Sequence, residues 1–441
     1  MKKILKATAA LLAAISASCT SYEIDMPENP APPAEGPEVP VNVIYEANPR
    51  FFGEDGCLGK LTARVPAISE MGCDILWVMP VCTPGELKAI GSPYCIRDFK
   101  QINPRYGTMA DFKALVAAAH AQGMKVVLDW IANHTSWDNP WITSHPDRYK
   151  KDGAGNIVSP DNWPDVAQLD YNNPATAEAM EDAMTYWVTE GGVDGFRCDF
   201  AEGVPHEFWA KVIADLRAAR PGLIMIAEAS DYSFYDDGFD MIYDWNSSRA
   251  ISAAFQGGKA SEVVTEAADA LAKVPEGKSI LRYVFNHDVA AENSIDRMYG
   301  SVDAIPAAYV LAAMFNGTPM IYSSMDVEGL SGRLSFFDYR TLDFSAKLTA
   351  EYRAVNDAFI RSAEVRRGEL AGYSTSSVVC FTRSIPGRSM LVAVNTTGSD
   401  QTLKTPIELA GTEMTDLISG HTLTLPVTLT LGAYGYVIYM N

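Results

Sequence analysis

Apolar residues along the chain come in short runs that alternate with longer amphipathic stretches. From residue 41 the runs are VNVIYE (41–46), DILWVM (74–79), MKVVLD (124–129), VDGFRCD (193–199), LIMIAE (223–228), FDMIYD (239–244), LRYVFN (281–286) and TPMIYS (318–323). Their length and their content of β-branched and aromatic residues predict strands. Between them, ADFKALVAAAHAQG (110–123), ATAEAMEDAMTYWVTEG (175–191) and HEFWAKVIADLRAAR (206–220) carry helical spacing. Strands joined by crossover helices predict a parallel sheet, and eight strands close a (β/α)8 TIM barrel. The barrel is expected over residues 41–134 and 174–361. Residues 135–173 are rich in Trp, Asp, Asn and Pro and too long for an ordinary βα loop, so they are expected to form a small excursion domain after strand 3. From 362 to 441 the pattern turns to alternation rich in Thr and Val, which predicts a C-terminal antiparallel β-sandwich domain.

The N-terminus reads differently. Lys2, Lys3 and Lys6 precede a short apolar stretch, and Ser16, Ala17 and Ser18 lead to Cys19. This is the layout of an export signal over residues 1–18, too short for a permanent membrane span. Cys19 after small residues resembles a bacterial lipobox, with Ser16 in place of the usual Leu. Residues 27–40 (PENPAPPAEGPEVP) favour extended chain. Residues 19–40 are therefore expected to be a lipidated cysteine and a Pro-rich tether. The protein would be exported and anchored at the bacterial outer membrane, on its surface or periplasmic face.

Composition narrows the function. The 441 residues carry a formal net charge of −20. That argues against a nucleic-acid partner, and against anionic ligands unless the fold hides a local basic cleft. A neutral substrate fits best. Six cysteines remain beyond Cys19, without CxxC spacing. They are expected to be mostly free and buried, with a bridge among Cys57, Cys82 and Cys95 as the alternative. The sequence has no HExxH and no GxSxG, and no strand opens into a Gly-rich phosphate loop, which disfavours zinc hydrolases, acyl-serine hydrolases and phosphate-loop enzymes.

Chemistry in such barrels sits at the C-terminal ends of the strands. The third strand run ends in Asp129, followed by Asn133 and His134; the fourth carries Arg197 and Asp199; the fifth ends in Glu228; the seventh ends in Asn286, His287 and Asp288. Alternation puts Arg197 and Asp199 on one face and Cys198 on the other. Carboxylates converging on one mouth suit glycoside hydrolysis, which needs one ionised and one protonated carboxyl group. Arg197 is expected to keep Asp199 ionised, and the acid-rich mouth to raise Glu228.

At these residues the chain resembles glycoside hydrolase family 13, the α-amylase family. DWIANH (129–134), GVDGFRCDF (192–200), IAEAS (226–230) and FNHD (285–288) are similar to the family's four conserved regions. DILWVMPV (74–81) and GSPYCIRDFKQINPRYGT (91–108) also resemble it. The resemblance implies a retaining hydrolase with Asp199 as nucleophile, Glu228 as acid/base and Asp288 as the third acid. It implies substrate contacts from Tyr94, His134, Arg197 and His287, with Tyr94 stacking on the sugar. The implied substrates are α-1,4-linked starch or maltooligosaccharides. The alternatives are an α-1,6 oligosaccharidase, a cyclomaltodextrinase, a transglycosylase or a non-catalytic glycan-binding relative. No organic cofactor is implied. Calcium is, with Asn133 and Asp170 (in QLDYN, 168–172) matching two ligand positions and Gly203 offering a carbonyl where the family has His. One motif departs: MIYSSMDVEG (320–329) carries Asp326 where the family usually has Glu. Oligomeric state is not legible.

Overall fold

The computed structural model describes residues 41–160 and 162–441; the expected export signal, Cys19 and the expected Pro-rich tether lie outside them. Eight parallel strands close a barrel in sequence order: Ile44–Ala47, Ile75–Val78, Lys125–Ile131, Gly195–Asp199, Ile224–Ala227, Met241–Tyr243, Ser279–Arg282 and Thr318–Tyr322. All eight fall on or against the apolar runs. The seventh is displaced toward the N-terminus of its run. Its expected end, Asn286, instead caps the helix His287–Glu292, accepting the Val289 N–H on its side chain at 2.9 Å.

The strand period of two sorts side chains between the barrel interior and the helix layer. Ile44, Ile75, Val127, Ile226 and Leu281 pack inside the barrel. Two residues further along each of three strands come Glu46, Asp129 and Glu228, so polar groups gather above an apolar layer. Cys198 points outward into the main core, as alternation requires. At the start of the fourth strand only glycine fits: a Cβ on Gly195 would lie 2.0 Å from the Ile224 carbonyl oxygen. Helices Met109–Ala121, Pro174–Tyr186 and His206–Ala219 occupy the predicted crossovers. Helix Ile305–Met314 is buried on every side. Among the described residues no helix is long and apolar enough to cross a membrane.

The excursion between the third and fourth strands is built on His134–Ser136 paired antiparallel with Val166–Gln168. The C-terminal domain has a six-stranded antiparallel sheet and a two-stranded ribbon, Gln401–Lys404 with Thr428–Leu431. Its VVCF run (378–381) is apolar throughout because both sheet faces are covered. Val378 and Cys380 pack with residues of the ribbon, while Val379 and Phe381 join the barrel's core. Phe381 stacks on Phe315 at 4.3 Å. Cys57, Cys73, Cys82, Cys95, Cys198 and Cys380 are all free and buried.

Candidate active site

The fourth strand presents Arg197 to the mouth from a fully buried position. Its Nη1 donates to Asp129 Oδ1 (2.9 Å) and Asp199 Oδ1 (3.1 Å), its Nη2 lies 2.9 Å from Glu228 Oε2, and its Nε donates to the Tyr243 hydroxyl (3.0 Å). Parallel pairing of the third, fourth and fifth strands sets Asp129 beside Arg197 and Arg197 beside Ile226, two residues before Glu228. Strand register therefore brings three carboxylates to one guanidinium. Asp199 and Glu228 keep some solvent contact (15% and 18% exposed side chains), whereas Asp129 is sealed.

One positive charge cannot compensate three buried carboxylates. Burial first and the Glu228 charge second push the Asp199 carboxyl well above its usual range, with Arg197 pulling the other way. This corrects the expectation that Arg197 keeps Asp199 ionised.

The loops after the two strands are stitched together. The Phe200 N–H donates to Glu228 Oε2 at 2.7 Å, and the Ala201 N–H to the Glu228 carbonyl at 3.2 Å. Glu202 Oε1 accepts from the Ser230 N–H (2.6 Å), the Ser230 hydroxyl (2.8 Å) and the Asp231 N–H (3.1 Å). Phe200 reaches this geometry in the left-handed region (φ 40°), an uncommon state for a bulky residue. Its ring fills the space over Gly203, where a Cβ would lie 2.5 Å from it.

On the opposite wall His287 Nδ1 donates to Glu46 Oε1 (2.5 Å) and Nε2 to the Tyr94 hydroxyl (2.8 Å), which donates in turn to Asp129 Oδ2 (3.0 Å). Asp288 Oδ2 stands 3.4 Å from His287 Nε2. Burial opposes charge on His287, but the Asp288 and Glu46 carboxylates outweigh it and raise its pKa to about 9. His134 has no such partner, and burial lowers it to about 4, so it is neutral. The His287 linkage has a definite sign. A raised folded-state pKa stabilises fully below the ordinary histidine value of about 6.5 and is lost as pH climbs through the folded value. The wild-type urea midpoint is expected to fall from about pH 7 to about pH 9, and His287→Gln to flatten that slope. Equal slopes in the two proteins would contradict the assignment.

Asp199, Glu228, Asp288, Tyr94, His134 and His287 line one cleft of about 280 Å³, with Trp163, Phe200, Phe336 and Phe337 among its apolar walls. Arg197 lies beneath it. Trp163 is 41% exposed and packs edge-on against both Phe200 and His134. Of the other aromatics in or near the excursion, Trp130 (on the third strand) and Tyr149 are core, Trp137 is covered by the Lys88 ammonium (3.6 Å), and Trp141 packs on Phe99. Sequence reasoning passed over Glu46, Phe200 and the Phe336–Phe337 pair. Asp326 stands away from the mouth: it is buried against the Tyr45 hydroxyl and paired with Arg64 at 3.0 Å.

Two of the implied cation ligands are neighbours: a Cβ on Gly203 would lie 2.7 Å from Asn133 Oδ1, and the Leu169 N–H, one residue before Asp170, donates to the Asn133 carbonyl at 3.1 Å. These are oxygen donors of the kind a hard cation takes. Asp170 is their one carboxylate and accepts from Asn172. Among the described residues no group of three or more His, Cys, Asp or Glu is arranged to hold a metal.

A closed parallel barrel whose mouth holds three acids around a buried arginine defines a barrel enzyme of the glycosidase type. The alpha-amylase catalytic-domain family matches residues 44–155 and 161–384, and the chain belongs to that family of glycoside hydrolases. Alpha-amylase MalA of Haloarcula japonica is 28% identical over 402 residues, 86% of this chain and 58% of that protein. The chain thus spans less than two thirds of that relative's length. Neopullulanase 2 of Thermoactinomyces vulgaris is 25% identical over 90% of this chain and 73% of its own length. The crystal structure of an alpha-amylase from Lactobacillus plantarum superposes with a TM-score of 0.80 at 27% identity, covering 91% of this chain and 99% of that one.

Proposed function

We propose that the protein is a retaining hydrolase of α-glucosidic bonds, mainly α-1,4, in starch or maltooligosaccharides. The observation that carries this reading is the grouping of Asp199 and Glu228 on one guanidinium at the cleft floor. A shared clamp suits the closer carboxyl separation of retaining enzymes, about 5–5.5 Å, rather than the wider gap that seats an attacking water. Asp199 attacks the anomeric carbon as the glycosidic bond breaks, and Glu228 gives its proton to the leaving oxygen. Water then enters, loses a proton to Glu228 and releases the sugar from Asp199. This route needs Asp199 ionised and Glu228 protonated. Asp288 and His287 hold ring hydroxyls; Tyr94 and His134 bound the cleaved sugar. The relatives named above include an amylase and a neopullulanase, so α-1,6 cleavage, cyclomaltodextrin opening and transglycosylation are the nearest alternatives. Product masses from maltoheptaose, pullulan and a cyclomaltodextrin test the reading: shortened linear products from maltoheptaose support it. If all three substrates are left intact, the chain is a glycan-binding relative instead.

Calcium held by Asn133, Asp170 and Gly203 belongs to the same proposal, as do export and a lipid anchor at Cys19. At calcium a hundredfold above Kd, binding stabilises by about 2.7 kcal/mol. Excess EGTA is expected to lower Tm and added calcium to restore it, with Asn133→Ala insensitive to both. An unchanged Tm would overturn the calcium assignment.

A further inference from the structure

A second cavity, of about 300 Å³, lies at the other end of the barrel strands, where the loops entering the seventh and eighth strands meet the C-terminal sheet. Its lining includes Lys278, Arg366, Arg367 and Arg383, with Glu276 as the one acid. Two of these arginines are almost wholly buried, Arg366 at 2% and Arg383 at 5% exposure. Neither has an ion-pair partner among the described residues. Arg366 is held from behind: its Nε and Nη2 donate to the Phe359 carbonyl (3.3 and 3.0 Å), and its guanidinium lies 3.7 Å over the Phe359 ring. Among the described residues its Nη1 has no acceptor. Arg383 donates from Nη1 to the Gly368 carbonyl at 3.1 Å, and its Nε and Nη2 have no acceptor among the described residues.

Three guanidinium N–H-bearing atoms are therefore buried without acceptors, on side chains from two separate elements facing one cavity. A buried unpaired charge is costly, and proteins compensate it with a counter-charge. Burial, with repulsion among these arginines and from Arg282, lowers Arg366 to about 9 and Arg383 to about 10, which leaves both cationic at neutral pH. The rest of the chain shows the usual solution. Arg282, next to the cavity, is paired with Asp244, and Lys278 lies 3.6 Å from Asp240. In a chain with 55 acidic residues and a net charge of −20, two buried arginines without an acid form a local basic site in an otherwise acidic protein.

We propose that this cavity binds an oxyanion of the phosphate class, either inorganic phosphate or the phosphomonoester of a small sugar. Guanidinium forks match the tetrahedral oxygens of that group, and two arginines offering three free donors distinguish it from a spherical ion. The site is separate from the catalytic cleft and does not depend on the reading of that cleft.

The test is calorimetric titration of residues 20–441 with inorganic phosphate and with glucose 1-phosphate, at constant ionic strength set by chloride. Saturable binding tighter than about 1 mM by at least one of them is expected. Arg383→Gln is expected to weaken it at least tenfold, and Asp199→Asn to leave it unchanged. Arg383→Lys, which keeps the charge and loses the fork, guards against misfolding and is expected to fall between wild type and Arg383→Gln. A preference for glucose 1-phosphate that also disappears in Arg383→Gln identifies the phosphomonoester as the ligand. Absence of saturation with both probes overturns the proposal, as does equal affinity in wild type and Arg383→Gln.

Discussion

Asp199→Asn is expected to lower kcat by about four orders of magnitude or more while leaving the fold intact. The carboxylate oxygen that would bond the anomeric carbon becomes an amide, so the covalent route closes. The substitution conserves shape and removes one negative charge from a cluster in which one cation faces three acids. Burial and Glu228 both disfavour the ionised Asp199. The neutral amide relieves that conflict, so Tm is expected to be equal to or above that of wild type. Kinetics on maltoheptaose and a thermal melt check both halves. Near-normal kcat would remove Asp199 from the nucleophile's role, and a collapsed melt would mean that the charge is structural.

Arg197→Leu is the second large effect, and it reaches stability as well as rate. Arg197 is fully buried and contacts Asp129, Asp199, Glu228 and Tyr243. Its loss leaves Asp129 sealed with, among the described residues, only the Trp77 indole N–H (3.2 Å) and the Tyr94 hydroxyl (3.0 Å) as donors. Removing one partner of a buried ion pair costs about 3–5 kcal/mol. The urea midpoint is expected to fall accordingly, and activity to vanish with it. Arg197→Lys keeps the charge but cannot fork to two carboxylates, so it should recover stability better than rate. A leucine variant as stable as wild type would contradict the central clamp.

Much of this arrangement is legible in the sequence because barrel geometry is periodic. Arg197 and Asp199 are two apart on one strand, so they had to share a face, and Glu228 ends a strand one register along. The His287 and Asp288 pair was visible only as the end of a strand-like run. Asn286 stops that run by capping a helix, a competition between side-chain and ladder hydrogen bonding that a count of apolar residues does not reveal. Glu46 obeyed the same strand-end rule as Asp129 and was passed over; its bond to His287 crosses 241 positions. Phe336 and Phe337 arrive from a long loop whose path depends on tertiary packing. The same holds for Asp326, which stands where the family usually has Glu but whose side chain turns back to Arg64 and Tyr45. The Arg366 and Arg383 cavity was illegible for another reason. The two residues belong to different elements, and neither has a sequence neighbour that marks it as unpaired.

The most direct test of the account is the anomeric form of the first product. Maltoheptaose is mixed with residues 20–441, and the reducing-end protons are followed by NMR before mutarotation. The double displacement through Asp199 predicts that new reducing ends are born as the α-anomer and drift toward equilibrium. Products born as the β-anomer would contradict the covalent intermediate and the roles given to Asp199 and Glu228.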